Sequence, residues 1–407
     1  MKKTIGQKPK NIKQSNRKMV LDIIRKYDSI SIKEITKKIN LSKPTIIRII
    51  NYFLQNNIVL IIGKGESTDE GGKKPILYKF NEKHAYAISI GLLNDEICII
   101  ITDLNAEILE ENNFQISSNI KFDEVIDIII NQLKIYFSKY KKESIIGLSI
   151  GCPGIINYSE GIVLALPYLK NWGKNIPLRS IIQSKLNLNC PIYIDNHVRF
   201  QIFAEKTIGI AKDKKNIILI DSENIGIGGA IIINNEIKRG EHSFAGLLGR
   251  IIVDSSEEAI IADNHSFQEK VGANKLLEKI KELKNDFQDS IIFANDNIKI
   301  EYVFDAANQK DPLAMLIMNE VIKYFAIVIS NSMVVIDPDL FIIQGVFTKA
   351  GNYFLDNLKQ KVESILFKNI KKNVEIVYSP FGKEIVALGG AIYAISEYFD
   401  KKYTYDK

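Results

Sequence analysis

The chain has 407 residues, 46% hydrophobic and 25% charged, a composition that excludes disordered and fibrous classes and leaves room for two to four domains at roughly 100–200 residues each. Its formal charge of +6 is the sum of two opposed parts: residues 1–80 carry 18 Lys and Arg against 6 Asp and Glu, and the rest carry 36 against 42. A basic head on an acidic body points to a polyanionic partner for the head, with a solvated basic tail as the plainer alternative.

Met1–Ser15 holds five lysines and no acid and reads as a loose arm. Asn16–Tyr27 follows as a helix with Met19, Val20, Ile23 and Ile24 on one face. Ser31-Ile32-Lys33-Glu34 has the spacing of a capping box and opens a short helix to about Ile39. Ser42 caps a third helix that tolerates Pro44 in its first turn and runs to about Asn56. Ile46, Ile47, Ile50, Phe53 and Leu54 form its buried stripe. Ser42, Lys43, Thr45 and Arg48 are left as short polar and basic groups suited to a major groove. Ile58–Ile62 and Lys74–Phe80 read as a hairpin, with Lys73 and Lys74 at its base positioned to hold phosphates or to reach a minor groove. Three helices and a hairpin make a winged helix-turn-helix over residues 1–82; a basic protein-interaction module is the alternative.

From Ala85 the pattern changes to strands alternating with helices, an α/β body of two lobes. Strands are expected at Ala85–Gly91, Glu96–Thr102, Glu107–Ile116, Ile145–Gly151, Pro191–Asp195, Asn216–Asp221, Gly229–Ile233, Phe341–Ile343 and Val374–Tyr378. Helices are expected at Phe122–Tyr140, His197–Ile208, Pro312–Ile336, Tyr353–Phe367 and Glu384–Phe399. No apolar run approaches the roughly 18 residues of a membrane helix, and the basic Met1–Gln14 lacks the apolar stretch of a signal peptide, so a cytoplasmic chain away from membranes is expected. Cys98, Cys152 and Cys190 have no CxxC spacing, which excludes a disulfide framework and a cysteine-rich zinc module.

The order of motifs is informative: Gly147-Leu148-Ser149-Ile150-Gly151-Cys152-Pro153-Gly154, then Gly226-Ile227-Gly228-Gly229-Ala230, Arg239-Gly240, Ala245-Gly246 and Leu388-Gly389-Gly390-Ala391. Behind a helix-turn-helix, this series resembles the ROK family (repressors, open reading frames and sugar kinases), its xylose- and N-acetylglucosamine-repressor type in particular. The resemblance implies a two-lobed, actin-like (ribonuclease H-like) sugar-kinase fold. Lobe 1 would span 83–200 and be completed by a C-terminal helix at 385–407. Lobe 2, at 201–384, would carry dimerisation and an effector region. It also implies a homodimer or dimer of dimers on double-stranded operator DNA, repressing carbohydrate-related genes in response to a small sugar or sugar derivative.

The departures from the family pattern matter as much. The phosphate turn Asp-Ile-Gly-Gly-Thr of family kinases is replaced by Ser89-Ile90-Gly91-Leu92-Leu93. The catalytic aspartate, eight residues before a glutamate, falls on His197, so no catalytic residue is expected; a kinase with an appended head is the competing reading. The sugar-binding asparagine of a Pro-Asn-Leu segment is replaced by Tyr168, and the Glu and His of Ala-Gly-Glu-x-Gly-His by Leu247 and Arg250. Among sugar contacts only Asn196 and the Pro153-Gly154 backbone match. Two alternatives stay open: an altered ligand, with Arg250 pairing an anion and Tyr168 or Trp172 stacking on a ring, or an empty pocket in a body that only dimerises. Residues 251–272 contain no cysteine, so the family's zinc site is absent, and neither metal nor cofactor is expected.

Overall fold

The computed structural model describes residues 9–65, 74–117, 119–166, 170–223, 226–294, 297–366 and 375–404. The expected Lys73, Tyr168 and hairpin tip lie outside the described residues. Helix α1 (Pro9–Arg25) starts seven residues earlier than the apolar pattern suggests. Proline fits the first turn of a helix, where its missing N–H is not needed, and the polar stretch that follows has no residue that breaks a helix. A two-residue strand, β1 (Ile30–Ser31), leads into α2 (Ile32–Lys38), where Ser31 and Glu34 form the reciprocal capping box. Ser42 caps α3 (Lys43–Gln55) by accepting the Thr45 N–H. Its buried face is Ile46, Ile49, Ile50 and Phe53; Ile47, expected inside, is 38% exposed. Ile49 lies three residues from Ile46 and so shares the stripe, whereas Ile47 is rotated about 100° away. Strands β2 (Val59–Lys64) and β3 (Ile76–Phe80) form the hairpin, and β1 adds to β3.

Two five-stranded sheets build the body, and they repeat one topology. In the first, β4 (Tyr86–Leu92), β5 (Glu96–Thr102) and β6 (Ile108–Gln115) form an antiparallel meander. Parallel to β4 run β7 (Ile145–Cys152) and then β11 (Ile192–Asn196). Helix α4 (Phe122–Lys139) covers one face, burying Ile126, Ile129 and Leu133 against Ile88, Ile90, Ile97 and Ile99. Between β7 and β11 sit a small sheet of β8 (Ile155–Asn157), β9 (Ile162–Ala165) and β10 (Lys174–Ile176), and helix α5 (Leu178–Leu186). After helix α6 (His197–Thr207) the second sheet begins with its own meander: β12 (Ile217–Ser222), β13 (Ile227–Ile233) and β14 (Glu236–Ile237).

A helical block follows: α7 (Glu257–Ile261), α8 (Phe267–Val271), α9 (Ala273–Glu282), α10 (Ile300–Asn308) and α11 (Pro312–Ile336). Strand β15 (Leu340–Gly345), helix α12 (Gly351–Ile365) and strand β16 (Ile376–Tyr378) then complete the sheet in parallel with β12. Alternation along β12 places Ile218 and Ile220 against the helical block and Ile217 and Leu219 against α6. Contrary to the expectation of no membrane-length segment, α11 is long and apolar enough to cross a bilayer, yet 67% of its most apolar window is buried inside the fold. It is the central helix of the largest core cluster.

The last helix, α13 (Ile385–Thr404), packs on β4, β7 and α6. A Cβ on Gly389 would lie 2.0 Å from the Phe200 carbonyl oxygen, and one on Gly390 would lie 2.3 Å from the Ser89 hydroxyl. The helix can therefore press against its neighbours only because these two positions lack side chains. Helix α6 packs on α13 and also on β12 and β13, so residue 200 falls inside the helix that joins the two sheets.

The head is tied to this seam. Lys18 on α1 pairs with Asp400 on α13. The Arg25 guanidinium lies 4.5 Å from the Phe399 ring centroid and 5.4 Å from that of Phe80, and donates to the Leu104 carbonyl at 3.1 Å. Replacing Gly389 by Ala should overpack the seam and cost about 1–3 kcal/mol, read as a lowered midpoint in thermal or chemical unfolding.

Candidate functional site

A cavity of about 120 Å³ opens beyond the carboxyl ends of β7, β11 and β12. Pro153, Gly154 and Ile155 from the β7–β8 turn and Asn196-His197 from the β11–α6 junction form one wall. Glu223 and Gly226–Gly228 from the β12–β13 turn, Leu247, Gly249 and Arg250 from the following loop, and Gln268 on α8 form the other. Asn94, from the β4–β5 turn, also lines it, and its buried side-chain amide oxygen has no hydrogen-bond partner among the described residues. Crevices at the carboxyl ends of parallel strands are where open α/β sheets bind ligands. Gly154 has φ +95°, and a Cβ there would meet the Ala165 carbonyl oxygen at 2.2 Å, so the turn can be built only with glycine.

Of the residues singled out from the sequence, Pro153, Gly154, Asn196, His197, Leu247 and Arg250 converge on this cavity. Trp172 does not. It is 7% exposed, meets Phe122 edge-on with ring centroids 5.3 Å apart, and donates its indole N–H to the Ile120 carbonyl at 3.1 Å. Its flat face is spent on the first core, which corrects the expectation that it stacks on a ligand. Glu223, Asn94 and Gln268 were missed. For Glu223 a signal existed: Asp221-Ser222-Glu223 places two acids where a buried strand runs into a glycine-rich turn.

The polar groups of the first wall are largely committed to the protein itself. Asn196 accepts the Val198 N–H at 2.9 Å as the cap of α6 and donates to the Gly154 carbonyl at 2.7 Å. His197, 8% exposed, has Nδ1 3.2 Å from the Cys152 carbonyl oxygen and Nε2 3.4 Å from Asp221 Oδ2. Burial disfavours its charged form, but the hydrogen bond and charge of Asp221, with the charge of Glu223 behind it, outweigh that and raise its pKa. An imidazolium donates from both nitrogens, which suits the two acceptors it faces. Glu223 is pushed up to about 7, by burial first and by the Asp221 charge second. Arg250, exposed on the rim, forms no ion pair among the described residues. Nor do the described residues contain a cluster of three His, Cys, Asp or Glu able to hold a metal ion.

On the head, Ser42, Lys43 and Arg48 are exposed and Thr45 is half-buried. The Ser42 and Thr45 hydroxyls lie 2.9 Å apart, so this pair both caps α3 and marks its outer start. Lys74 is exposed just before β3.

A two-sheet body with a duplicated topology, a cavity at its strand ends and a basic three-helix head defines a class, and the comparisons agree with it. The ROK family model matches residues 85–397, and the chain belongs to the ROK family. It is 30% identical over 396 residues to the xylose repressor of Caldicellulosiruptor bescii, covering 95% of this chain and 96% of that protein. Identity to the xylose repressor of Bacillus spizizenii is 28% over 394 residues, covering 96% and 97%. The DNA-binding transcriptional dual regulator NagC of Escherichia coli is 22% identical over 374 residues, covering 90% and 89%. Among solved structures, a ROK family transcriptional regulator homologous to E. coli MLC superposes with TM-score 0.80 at 22% identity over 97% of this chain and 98% of that one. A ROK glucokinase from Streptomyces griseus superposes with TM-score 0.63 at 19% identity over 77% of this chain and 100% of that one. The chain thus has the ROK fold, of mixed α and β content.

The raised pKa values carry a sign that can be tested. The folded protein keeps the Glu223 proton up to about pH 7, whereas the unfolded chain releases it near the ordinary glutamate value, so stability falls as pH rises between the two. His197 acts in the same direction: its contribution is complete below its ordinary value of about 6.5 and is lost as pH rises through the raised folded value. Glu223→Gln should therefore gain about 1–2 kcal/mol relative to wild type between pH 5 and pH 8, measured by denaturant unfolding at each pH.

Proposed function

We propose that the chain is a sequence-specific DNA-binding repressor of carbohydrate-related genes, acting as a homodimer or dimer of dimers. Residues 1–82 serve as a winged helix-turn-helix, and the two-lobed body (83–200 with the C-terminal helix, and 201–384) senses a small sugar-like effector and phosphorylates nothing. One observation carries this reading. The relatives that match this chain from head to C-terminus are named repressors, and the added head presents exposed Lys43 and Arg48 at the start of a capped helix. In this reading α3 enters the major groove with Ser42, Lys43, Thr45 and Arg48, while Lys73 and Lys74 hold phosphates at the wing.

The non-enzymatic half of the proposal rests on the cavity. A general base must have a free lone pair to accept a hydroxyl proton. His197 occupies the position of the kinase aspartate, but both its nitrogens face acceptors and its pKa is raised. The turn after β4, where family kinases approach nucleotide phosphates, carries Leu92 and Leu93, 1% and 3% exposed. Two leucine side chains offer a phosphate neither charge nor backbone approach. The cavity itself, with Arg250 unpaired on its rim and apolar Pro153, Ile155, Ile227 and Leu247 around it, supports a bound small effector over an empty vestige.

Selection from random duplexes with the full chain should enrich one motif with two half-sites. Arg48→Ala should weaken binding to that motif by roughly 10- to 100-fold, as loss of a base contact does. Lys74→Ala should weaken it uniformly and reduce the salt slope by about one. Failure to enrich any motif at low salt would sink the reading. Coupled ATP-turnover assays over a panel of hexoses should show no sugar-dependent rate, and a rate abolished by His197→Ala would restore the kinase alternative.

A further inference from the structure

One buried charge cluster lies outside the cavity and joins the two sheets. Asp195, at the end of β11, is fully buried. Its Oδ1 accepts from Arg199 at 2.8 Å and from the Asn196 N–H at 2.8 Å, and its Oδ2 accepts from Arg239 Nε at 2.8 Å. Arg199, on α6, also donates to the carbonyls of Ser243 at 2.8 Å and Ala245 at 3.2 Å. Arg239 follows β14 of the second sheet. Its guanidinium lies 3.9 Å from the ring centroid of Tyr158 and 5.8 Å from that of Tyr393 on α13, and those two tyrosines share a hydroxyl hydrogen bond of 2.6 Å.

The two arginines are not equivalent. Arg199 stands four residues from Asp195 on the continuous β11–α6 segment and is 2% exposed, so its pairing with the carboxylate does not depend on the angle between the sheets, although its bonds to Ser243 and Ala245 do. Arg239 comes from the other sheet, its side chain is 21% exposed, and one of its terminal nitrogens is buried without a partner among the described residues. If it withdraws, Asp195 keeps a counter-charge and Arg239 gains water for the nitrogen that now lacks a partner. Removing one partner of a buried pair is costly when it strands a charge; here Arg199 keeps the carboxylate paired, so the cost is reduced to the hydrogen bond at Oδ2. The segment that Arg239 begins runs on to Leu247, Gly249 and Arg250 on one cavity wall, while Asp195 is followed directly by Asn196 and His197 on the other.

We propose that Arg239 is a detachable latch: a positioning residue that closes one cavity wall on the other and, through Tyr393 and α13, couples the cavity to the head. Only the last step, coupling to DNA, rests on the regulatory reading above.

The test uses the full chain as wild type, Arg239→Met, Arg239→Lys and the neighbouring surface control Lys238→Met. Amide hydrogen exchange is measured across 240–250, with α4 and β15 as references, together with affinity for the selected duplex. Support is at least a tenfold rise in exchange across 240–250 in Arg239→Met with the references unchanged, and at least a fivefold change in duplex affinity. Arg239→Lys should recover part of both, and Lys238→Met should match wild type. Unchanged exchange at 240–250 overturns the latch. Raised exchange with wild-type duplex affinity overturns the coupling and leaves Arg239 a local structural residue. A wild-type chain that enriches no duplex overturns the regulatory reading instead, and the exchange result still decides the latch.

Discussion

The close approach of α13 to α6 and the first sheet is the constraint on which the rest depends. Gly389 and Gly390 let the helix backbone settle against Phe200 and Ser89 at distances no side chain would permit. From that position its amino end touches the cavity's supports: Cβ atoms built on Gly151 would meet Val386 at 2.9 Å and the His197 backbone at 3.4 Å. Its middle carries Tyr393, ringed by Tyr158, Tyr193, Phe200 and Phe203. Its far end carries Phe399 and Asp400 to the head. A C-terminal segment thus holds together the cavity, the sheet joint and the N-terminal head.

Charge placement in the cavity is where the proposed loss of kinase chemistry has its physical basis. Putting a cation at His197 would be unfavourable in a buried site unless an anion met it, and Asp221, 1% exposed, does so. That carboxylate also accepts from Gln201 at 3.2 Å. Both contacts fall on Oδ2, while Oδ1 is buried without a hydrogen-bond partner among the described residues, so His197 is the counter-charge that makes this buried carboxylate tolerable. The consequence is chemical: at the position of the family's kinase aspartate stands an imidazole whose proton Asp221 favours. The polar capacity left in the cavity, at Arg250, Glu223, Asn94 and Gln268, is suited to recognition.

What could be read from the sequence was what local chemistry determines. The Ser31–Glu34 capping box and the Ser42 cap are short-range hydrogen-bond patterns, and both are present in the structure. Helix α11 has its expected bounds because Asp311 caps it, Pro312 starts it and its apolar pattern is continuous. The strands β8, β9 and β10 and helices α7 and α8 escaped because elements of three to five residues show too little periodicity against the surrounding loops; α9 and α10 are amphipathic and were legible but not read. Trp172 was misassigned because its fate is decided by Phe122 and Ile120, some fifty residues away in the chain. The replacement at His197 was legible; its neutralisation by Asp221 was not, since that contact joins the two sheets.

The linkage between head and body determines what a sensing body can do. No long connection separates β3 from β4, and the short helical turn at Glu82–His84 between them fixes the strand ends in place. Arg25 caps this junction with two aromatic faces and one carbonyl. The head keeps its own three-stranded sheet but shares one hydrophobic cluster with β4, β5 and α13, so it is packed on the first lobe and not held by a tether alone. A 20-residue helix spans about 30 Å, and a rotation of roughly 10° over that lever arm displaces its end by about 5 Å. The major groove is about 12 Å wide, so a shift of that size is enough to take a recognition helix out of register. On the proposed reading a small movement at the cavity would suffice: the lever arm supplies the amplitude, and a ligand would need only to favour one sheet angle over the other.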